Sequence, residues 1–452
     1  RVYGFALGVA VLITLAFAVA PLMLLRRFDL ASALGNGARS GSSASEGRAR
    51  GLLLKAQIAM TVLLLSGAGL FLKSFVALTA VPLGFDPTNT LVVRSSLSGP
   101  RYDTDDAIRG YANRVLASAE SKNGIRSAAI ASSSPLGSGP LVLFAAAEAT
   151  LNDAPGRAIL RSVGPGFFHT LNIRLLQGRE FSSSDVAGGP RVAIVNESLA
   201  HQLFGETPAV GRNLELLPGA RVPWTKRPGT LLIVGVASNV KDVGVNEIEF
   251  PDIYVPFDQA PAPWVELVVR TDTPVARVGS LLTSEVARID PAVLVLPSAA
   301  YVDRVSKALQ GDRFNAVLVS GFAAVALALA SIGIYGAVAY NVQARTRELG
   351  VRLALGAKPA GLVRSTLWQA GRFAVVGGAI GIAGVLALAG LMGDAVYLVA
   401  GSHNGLLYGV TTTDPAVLGV AFVGIVGVAL AAGSIPARRV ARVDPASVLR
   451  AD

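Results

Sequence analysis

The stretch RTRELGVRLALGAK, residues 345–358, follows one long apolar run and precedes another. A segment this charged between two membrane helices has to lie in water. Its Arg345, Arg347, Arg352 and Lys358, against the single acid Glu348, place that water in the cytoplasm by the positive-inside rule. Val351, Leu353 and Leu355 alternate with these charges, so the segment is predicted to form an amphipathic helix with an apolar side for packing and a basic side for solvent or a partner. Gly356 and the Lys358-Pro359 step end it. Spacing alone fits a topology anchor, whose charges only hold orientation, better than a coupling element.

The 452 residues are 52% hydrophobic and 15% charged, with a mean hydropathy of +0.53. That is too apolar for an ordinary soluble protein and fits an integral membrane protein with a large water-facing part. The net charge is +10, but its location excludes the obvious reading. Residues 74–312 hold 21 Lys+Arg and 23 Asp+Glu, and the remainder holds 19 and 7. The excess positive charge therefore flanks membrane spans, and no basic face is left for nucleic acid. With no cysteine there are no disulfides, thiolate sites or cysteine nucleophiles. His169, His201 and His403 lack ligand spacing, so no metal site is expected.

Val2 to Leu25 is uncharged and long enough to cross a bilayer, and Arg26-Arg27 follows it as a cytoplasmic stop. Because the chain starts at Arg1 and enters a span almost at once, it reads as part of something longer. Residues 1–27 are taken as one span and residues 28–51 as a flexible cytoplasmic linker, on the Gly/Ser-rich GNGARSGSSASEGRARG. The segment 52–80 carries a second span, Ala56 to Leu72 between Lys55 and Lys73. Residues 81–311 contain no further span and are assigned to an exported domain. Strand, helix and strand patterns recur at its two ends, at 91–131 and 264–296, which predicts a split α+β layer with a β-rich subdomain inserted at about 150–260.

Residues 312–452 hold three more spans, 314–344, 373–393 and 415–437, giving five predicted spans in all. The loop 345–372, with six Lys+Arg and one acid, and the Arg-rich tail are cytoplasmic; the loop 394–414, with Asp394 and Asp414 and no base, is outside. Gly377, Gly381 and Gly384 mark a face for close helix packing. The spans carry almost no ionisable residues, so nothing resembles a polar path through the bilayer.

In this order, GFDPTNTLVVRSSL (84–97), VGPGFFHTLNIRLLQGREF (163–181), VAIVNESLAHQLFG (192–205), IVGVASNVKDVG (233–244), GIYGAVAYNVQARTRELGVRLALGAKP (333–359) and IPARRVARVDPASVLR (435–450) resemble the FtsX-like/MacB-like permease family of ABC transporters. Within the family the chain resembles the duplicated, acidobacterial-type permeases, with two four-span units in one chain; 1–27 would then be the last span of a first unit. The resemblance implies a fold, membrane helices with an α+β MacB-like extracytoplasmic core, and a place, the bacterial inner membrane with a large periplasmic domain. It further implies mechanotransmission: a cytoplasmic ATPase acts in trans on a permease that is a homodimer or is paired with the preceding unit. Carried over to this sequence, the ATPase contact is Arg347, Glu348, Arg352, Leu355, Gly356 and Ala357, while Arg438, Arg439, Asp444 and Pro445 fit a second cytoplasmic contact and a helix exit anchored by arginine equally well. With the resemblance, coupling displaces the anchor reading of 345–358.

No GxxxxGK[ST] occurs in these 452 residues, so no cofactor is expected here, and ATP would be bound only by a partner. Substrate, as peptide, lipoprotein, toxin or antibiotic, stays open. The rival function is an FtsX-like regulator or scaffold, in which the exported domain controls an envelope partner without transport. VPFDQAPAPW (255–264) is read as a plain loop in preference to a docking site for a periplasmic adaptor. An enzyme is disfavoured: Ser132–Ser134 and Ser182–Ser184 are turn chemistry, Asp185 and Glu197 are isolated acids, and no catalytic residue is assigned.

Overall fold

The computed structural model describes residues 42–440 apart from 138, 147–154, 218–228, 243, 246–248, 356 and 401–406. The span expected at 2–25 and residues 28–41 of the expected linker lie outside the described residues. In chain order the elements are α1 (Ser42–Thr79), β1 (Thr90–Ser96), α2 (Asp105–Glu120), β2 (Ile125–Ala131), β3 (Leu141–Ala146), β4 (Gly156–Val163), α3 (Phe167–Leu171), β5 (Leu175–Gly178), β6 (Val192–Asn196) and α4 (Glu197–Phe204). Next come β7 (Asn213–Leu216), β8 (Gly229–Ala237), β9 (Asp252–Pro256), β10 (Trp264–Thr271), α5 (Val275–Ile289), β11 (Leu294–Val295), β12 (Ala299–Ala300) and α6 (Tyr301–Ala308). The chain closes with α7 (Gln310–Ala344), α8 (Thr346–Ala354), α9 (Pro359–Ala400) and α10 (Pro415–Val440).

The chain divides into two compact units. Leu64–Ala324, with Val385–Ala421, holds the whole sheet. Its strands run β11-β1-β10-β2-β4-β3-β7-β8-β6-β9, and β9 also pairs with β4 in parallel, so the last six strands close into a ring. Closure gives each of these six strands a neighbour on both sides, while β5 pairs with β8 and β12 with β1 off this path. The ring joins the first strands through one pairing, Ala131 with Val163.

In the first part, β10 lies antiparallel between β1 and β2. Leu91, Val93, Leu267, Val269 and Ile130 project to one face, where α2 and α5 cover them. Val92, Val268, Ala129 and Ala131 project to the other, against Phe167, Phe168, Tyr254 and Tyr301. Both faces are buried, so Leu91–Val93 and Leu267–Val269 are apolar at successive positions, where the sequence pattern predicts alternation over 91–97. Helix α2 starts where Thr104 accepts a hydrogen bond from the amide of Ala107, and Asp105 and Asp106 favour its positive end. Its buried residues, Ile108, Tyr111, Ala112, Val115 and Ala119, follow helical spacing. The ring encloses a third core of Val142, Phe144, Leu160, Val195, Leu214, Leu231, Ile233 and Ile253. Strand β3, Leu141–Ala146, is part of this ring although it precedes the insertion expected at about 150–260.

The other unit gathers the chain through Leu63, Val325–Gly384, and Phe422 onward. Here Leu54, Ile58, Val62, Ala330, Ile334, Val338, Ala370, Ala374, Ile425 and Ala429 form the core. Among the described residues, four helical stretches, Gly51–Thr79, Gln310–Ala344, Pro359–Gly390 and Pro415–Arg439, are long and apolar enough to cross a membrane. Two expected loops are shorter than composition indicates. Residues 42–51, assigned to the linker, are the first turns of α1. Residues 359–372, assigned to the cytoplasmic loop, are the first turns of α9. Pro359 at the first helical position costs no hydrogen bond there, so it opens α9 as well as closing α8. At the other end α9 continues to Ala400, into the expected outer loop.

Candidate functional site

The amphipathic segment forms α8, separated from α7 by a break at Arg345. Thr346 bridges the break, its hydroxyl donating to the carbonyls of Val342 at 3.0 Å and Gln343 at 2.9 Å. Leu349 is buried against Leu362, with Val342 and Leu353 packed beside them. The opposite side faces out: Val351 is 40% exposed and Leu355 82%. Glu348 and Arg352, one turn apart, form an exposed ion pair. Their order, acid before base, suits the helix dipole, and such a pair adds about 0.3–0.5 kcal/mol of helix stability. Ala357 is half-buried and its amide reaches the Arg352 carbonyl at 3.0 Å.

The structure therefore brings Glu348 and Arg352 onto one short, tethered helix, with Leu355 as its C-terminal cap residue. The Arg347 side chain, Gly356, Asp444 and Pro445 lie outside the described residues. Arg438 and Arg439 are exposed in the last turn of α10, where cations complement the helix dipole.

The three glycines separate into two kinds. A Cβ on Gly377 would lie 2.8 Å from Ile58, and one on Gly381 2.7 Å from the Ala59 carbonyl oxygen, so both let α9 approach α1 closely. Gly384 would meet nothing within 4 Å and takes no part in that contact. Gly378, which sequence reasoning did not single out, performs the same service toward α10, where Phe422 lies 2.9 Å away.

Sequence reasoning also missed two buried charge clusters in the sheet-bearing unit. In the first, the Glu266 carboxylate on β10, with no exposed surface, accepts from Arg94 Nε at 2.9 Å, Arg304 Nη2 at 2.9 Å and the Ser134 hydroxyl at 2.5 Å. Burial pushes its pKa up, but Arg304 and Arg94 outweigh that and hold it below the usual value. Arg304 belongs to α6, whose first residue, Tyr301, donates its hydroxyl to the Pro135 carbonyl at 2.6 Å. Helix α6 is thereby fastened to β1, β10 and the turn after β2.

In the second cluster Arg161 on β4 is fully buried, with Asp242 at 2.5 Å and Asp252 at 3.6 Å. Two carboxylates face one guanidinium; burial, followed by the effect of Asp242, raises the Asp252 pKa well above the ordinary carboxylate range, against the pull of Arg161. The only signal for this cluster in the sequence is an arginine among apolar residues in GRAILRSV. Its acids are 81 and 91 residues away, too far for any spacing rule.

The serine runs do turn and network chemistry. The Ser182 amide donates to Asp185, which is itself paired with Arg179, and Ser134 serves Glu266. Among the described residues no group of three His, Asp or Glu could hold a metal ion.

Residues 58–310 match the MacB-like periplasmic core domain family, and residues 320–445 the FtsX-like permease C-terminal family. A probable export ATP-binding/permease protein of Pseudomonas fluorescens (strain Pf0-1) is 26% identical over 65% of this chain and 43% of its own length. The uncharacterized ABC transporter permease YknZ of Bacillus subtilis (strain 168) is 24% identical over 65% of this chain and 70% of its own length. The macrolide export ATP-binding/permease protein MacB of Bartonella quintana (strain Toulouse) is 25% identical over 81% of this chain and 51% of its own. The match thus spans about half the length of the ATP-binding/permease relatives. The periplasmic region of MacB from Actinobacillus actinomycetemcomitans is 16% identical over 47% of this chain and 90% of that one, with a TM-score of 0.31. The two family matches, which together take in 58–310 and 320–445, place the chain in the FtsX-like/MacB-like ABC permease family, as a multi-pass inner-membrane protein with a periplasmic core domain.

Proposed function

We propose that this chain is the permease subunit of an ABC-type export or mechanotransmission system, and that α8 takes up the action of an ATPase held on another chain. The observation that supports this reading most is the division of labour on α8. Leu349 and Leu353 fix it to the α7 and α9 ends, while Leu355, the most exposed large apolar residue among those described, stands out beside Val351 and the Glu348–Arg352 pair. An anchor that only set topology needs the charges but not the two apolar side chains, Val351 and Leu355, exposed beside them. An apolar knob ringed by charge is the makeup of a small protein contact.

Movement of α8 would pass along α7 to α6, which the Glu266 cluster fastens to the sheet. Outward residues such as Phe322, Val325 and Ile332 on α7 offer a face for a second copy or a preceding permease unit. A periplasmic adaptor or other envelope partner would engage the core domain.

The test is affinity capture of the intact membrane protein, wild type against Leu355→Asp and Arg352→Glu, with identification of bound ATPases. Capture by the wild type and loss in both variants supports the reading. No ATPase captured even after crosslinking sinks it, and leaves the FtsX-like regulatory or scaffold role in its place.

A further inference from the structure

Helix α9 enters the membrane with two opposed rows of side chains. Leu362, Thr366, Ala370 and Ala374, each four residues on, are buried against the rest of the unit. Offset by two residues, Arg364, Trp368 and Arg372 form a second row on the exposed side, with Trp368 75% exposed. Neither arginine forms an ion pair or hydrogen bond among the described residues, and Glu348, the one acid of 345–372, is held by Arg352.

Below Arg372 the same side of the helix continues as Val375, Val376 and Ile380, all exposed and apolar. The row therefore passes without a break from charge to the surface that meets lipid tails. At 1.5 Å per residue, Arg364 and Arg372 stand about 12 Å apart along the axis, enough to bracket the ~5–7 Å headgroup layer on one side of a bilayer. Tryptophan favours that layer, because its ring is apolar and its N–H needs a polar partner. Helices α9 and α10 pack where Gly433 approaches Ala370. Arg438 and Arg439, five and six residues beyond Gly433, consequently add charge near the level of Arg364.

We propose that the Arg364–Trp368–Arg372 face of α9 binds the headgroups of anionic phospholipids in the cytoplasmic leaflet. Two guanidinium groups with no partner among the described residues supply the charge that a phosphate or phosphatidylglycerol headgroup complements, and guanidinium donates two parallel hydrogen bonds to phosphate oxygens. The indole between them covers the glycerol and upper acyl region. This requires only that α9 spans the membrane, and it stands whether or not an ATPase binds α8.

The chain has three tryptophans, so Trp224→Phe with Trp264→Phe leaves Trp368 as the single indole in the full chain. This protein is reconstituted into bilayers of phosphatidylcholine and phosphatidylglycerol in which one lipid, at about 20 mol%, carries brominated acyl chains that quench tryptophan on contact. A gain of roughly fivefold in local occupancy for each arginine is expected. Brominated phosphatidylglycerol should then quench Trp368 well beyond the same share of brominated phosphatidylcholine. Arg364→Gln with Arg372→Gln should make the two lipids quench equally, with unfolding temperature unchanged. Equal quenching with both arginines present overturns the proposal. So does the absence of quenching by either lipid, which would mean that a protein surface, an ATPase or a second copy, covers Trp368.

Discussion

Glu266→Gln tests whether α6 is held by charge. In the folded chain one carboxylate with no exposed surface faces Arg304, whose side chain is 15% exposed, and Arg94, which is 39% exposed. Glutamine keeps the shape and one acceptor oxygen but removes the charge. Arg94 can turn to water; Arg304 cannot, and is left near Tyr301 without a counter-ion. Stranding one buried charge costs about 3–5 kcal/mol, and the residual acceptor places Glu266→Gln at the low end, about 3 kcal/mol. Arg94→Ala, which leaves Glu266 paired with Arg304, should cost about 1 kcal/mol. The assay is equilibrium urea unfolding in detergent, read by the fluorescence of Trp264, two residues from Glu266, with Trp224 and Trp368 replaced by Phe. The carboxyl's folded pKa lies below its ordinary 4.5. Its contribution is therefore complete above about 4.5 and is lost as pH falls through the lowered folded value, so the gap between wild type and Glu266→Gln should narrow in acid. A gap no larger than that of Arg94→Ala, or one that does not narrow, would refute the clamp.

Asp252→Asn should have the opposite sign. Its folded pKa is raised, so whatever stability it lends is present at low pH and is lost as pH rises toward and through the folded value; the amide should leave the chain as stable or more stable at pH 7 and flatten its pH profile, measured by thermal unfolding. Gly381→Leu should lower the yield of folded protein and its stability by about 1–3 kcal/mol, because even its Cβ meets the Ala59 carbonyl oxygen at 2.7 Å. Gly384→Leu, with nothing within 4 Å, should be close to neutral in the same detergent-unfolding assay. Tyr102→Phe should loosen the junction of α2 and α5, since its hydroxyl and Arg101 hold the Asp290 carboxyl down to about 2; hydrogen exchange of residues 275–295 reads this, and an unchanged rate counts against it.

What the sequence disclosed and what it hid follow one physical division. Spans α1, α7, α9 and α10 show because lipid demands unbroken apolar composition, a signal local to each segment. The strand-helix-strand units at 91–131 and 264–296 show for the same reason, since β1, α2, β10 and α5 each carry their own periodicity. Helical turns at 359–372 are hidden because Arg364 and Arg372 score as loop, although the buried row Leu362, Thr366 and Ala370 has helical spacing. Ring closure depends on β4 meeting β9, Ile159 beside Asp252, a pairing no local pattern records. Arg161 is obscured likewise: its partners are distant, and a charged residue within a strand is ordinarily taken to face solvent.

The placement of charge bears on mechanism. Residues 56–72, 314–344, 373–390 and 415–437 contain no Asp, Glu, Lys, Arg or His, whereas the sheet-bearing unit buries Arg161, Asp242, Asp252 and Glu266 completely or nearly so. A route for ions or polar solutes within the bilayer needs ionisable groups or broken helices at mid-depth. The described parts of these four spans are uncharged through their centres and helical throughout. Buried ion pairs, for their part, are poor sources of stability but tolerate little displacement, since separating either partner strands a charge. They suit places where one arrangement must be kept under load. The Glu266 cluster joins α6 to β10: Glu266 lies two residues in from Trp264, and Arg304 lies four residues before the α6 C-terminus. A chain that used its spans as levers would concentrate specificity where a helix grips the sheet and leave the levers apolar, which is the distribution this sequence carries.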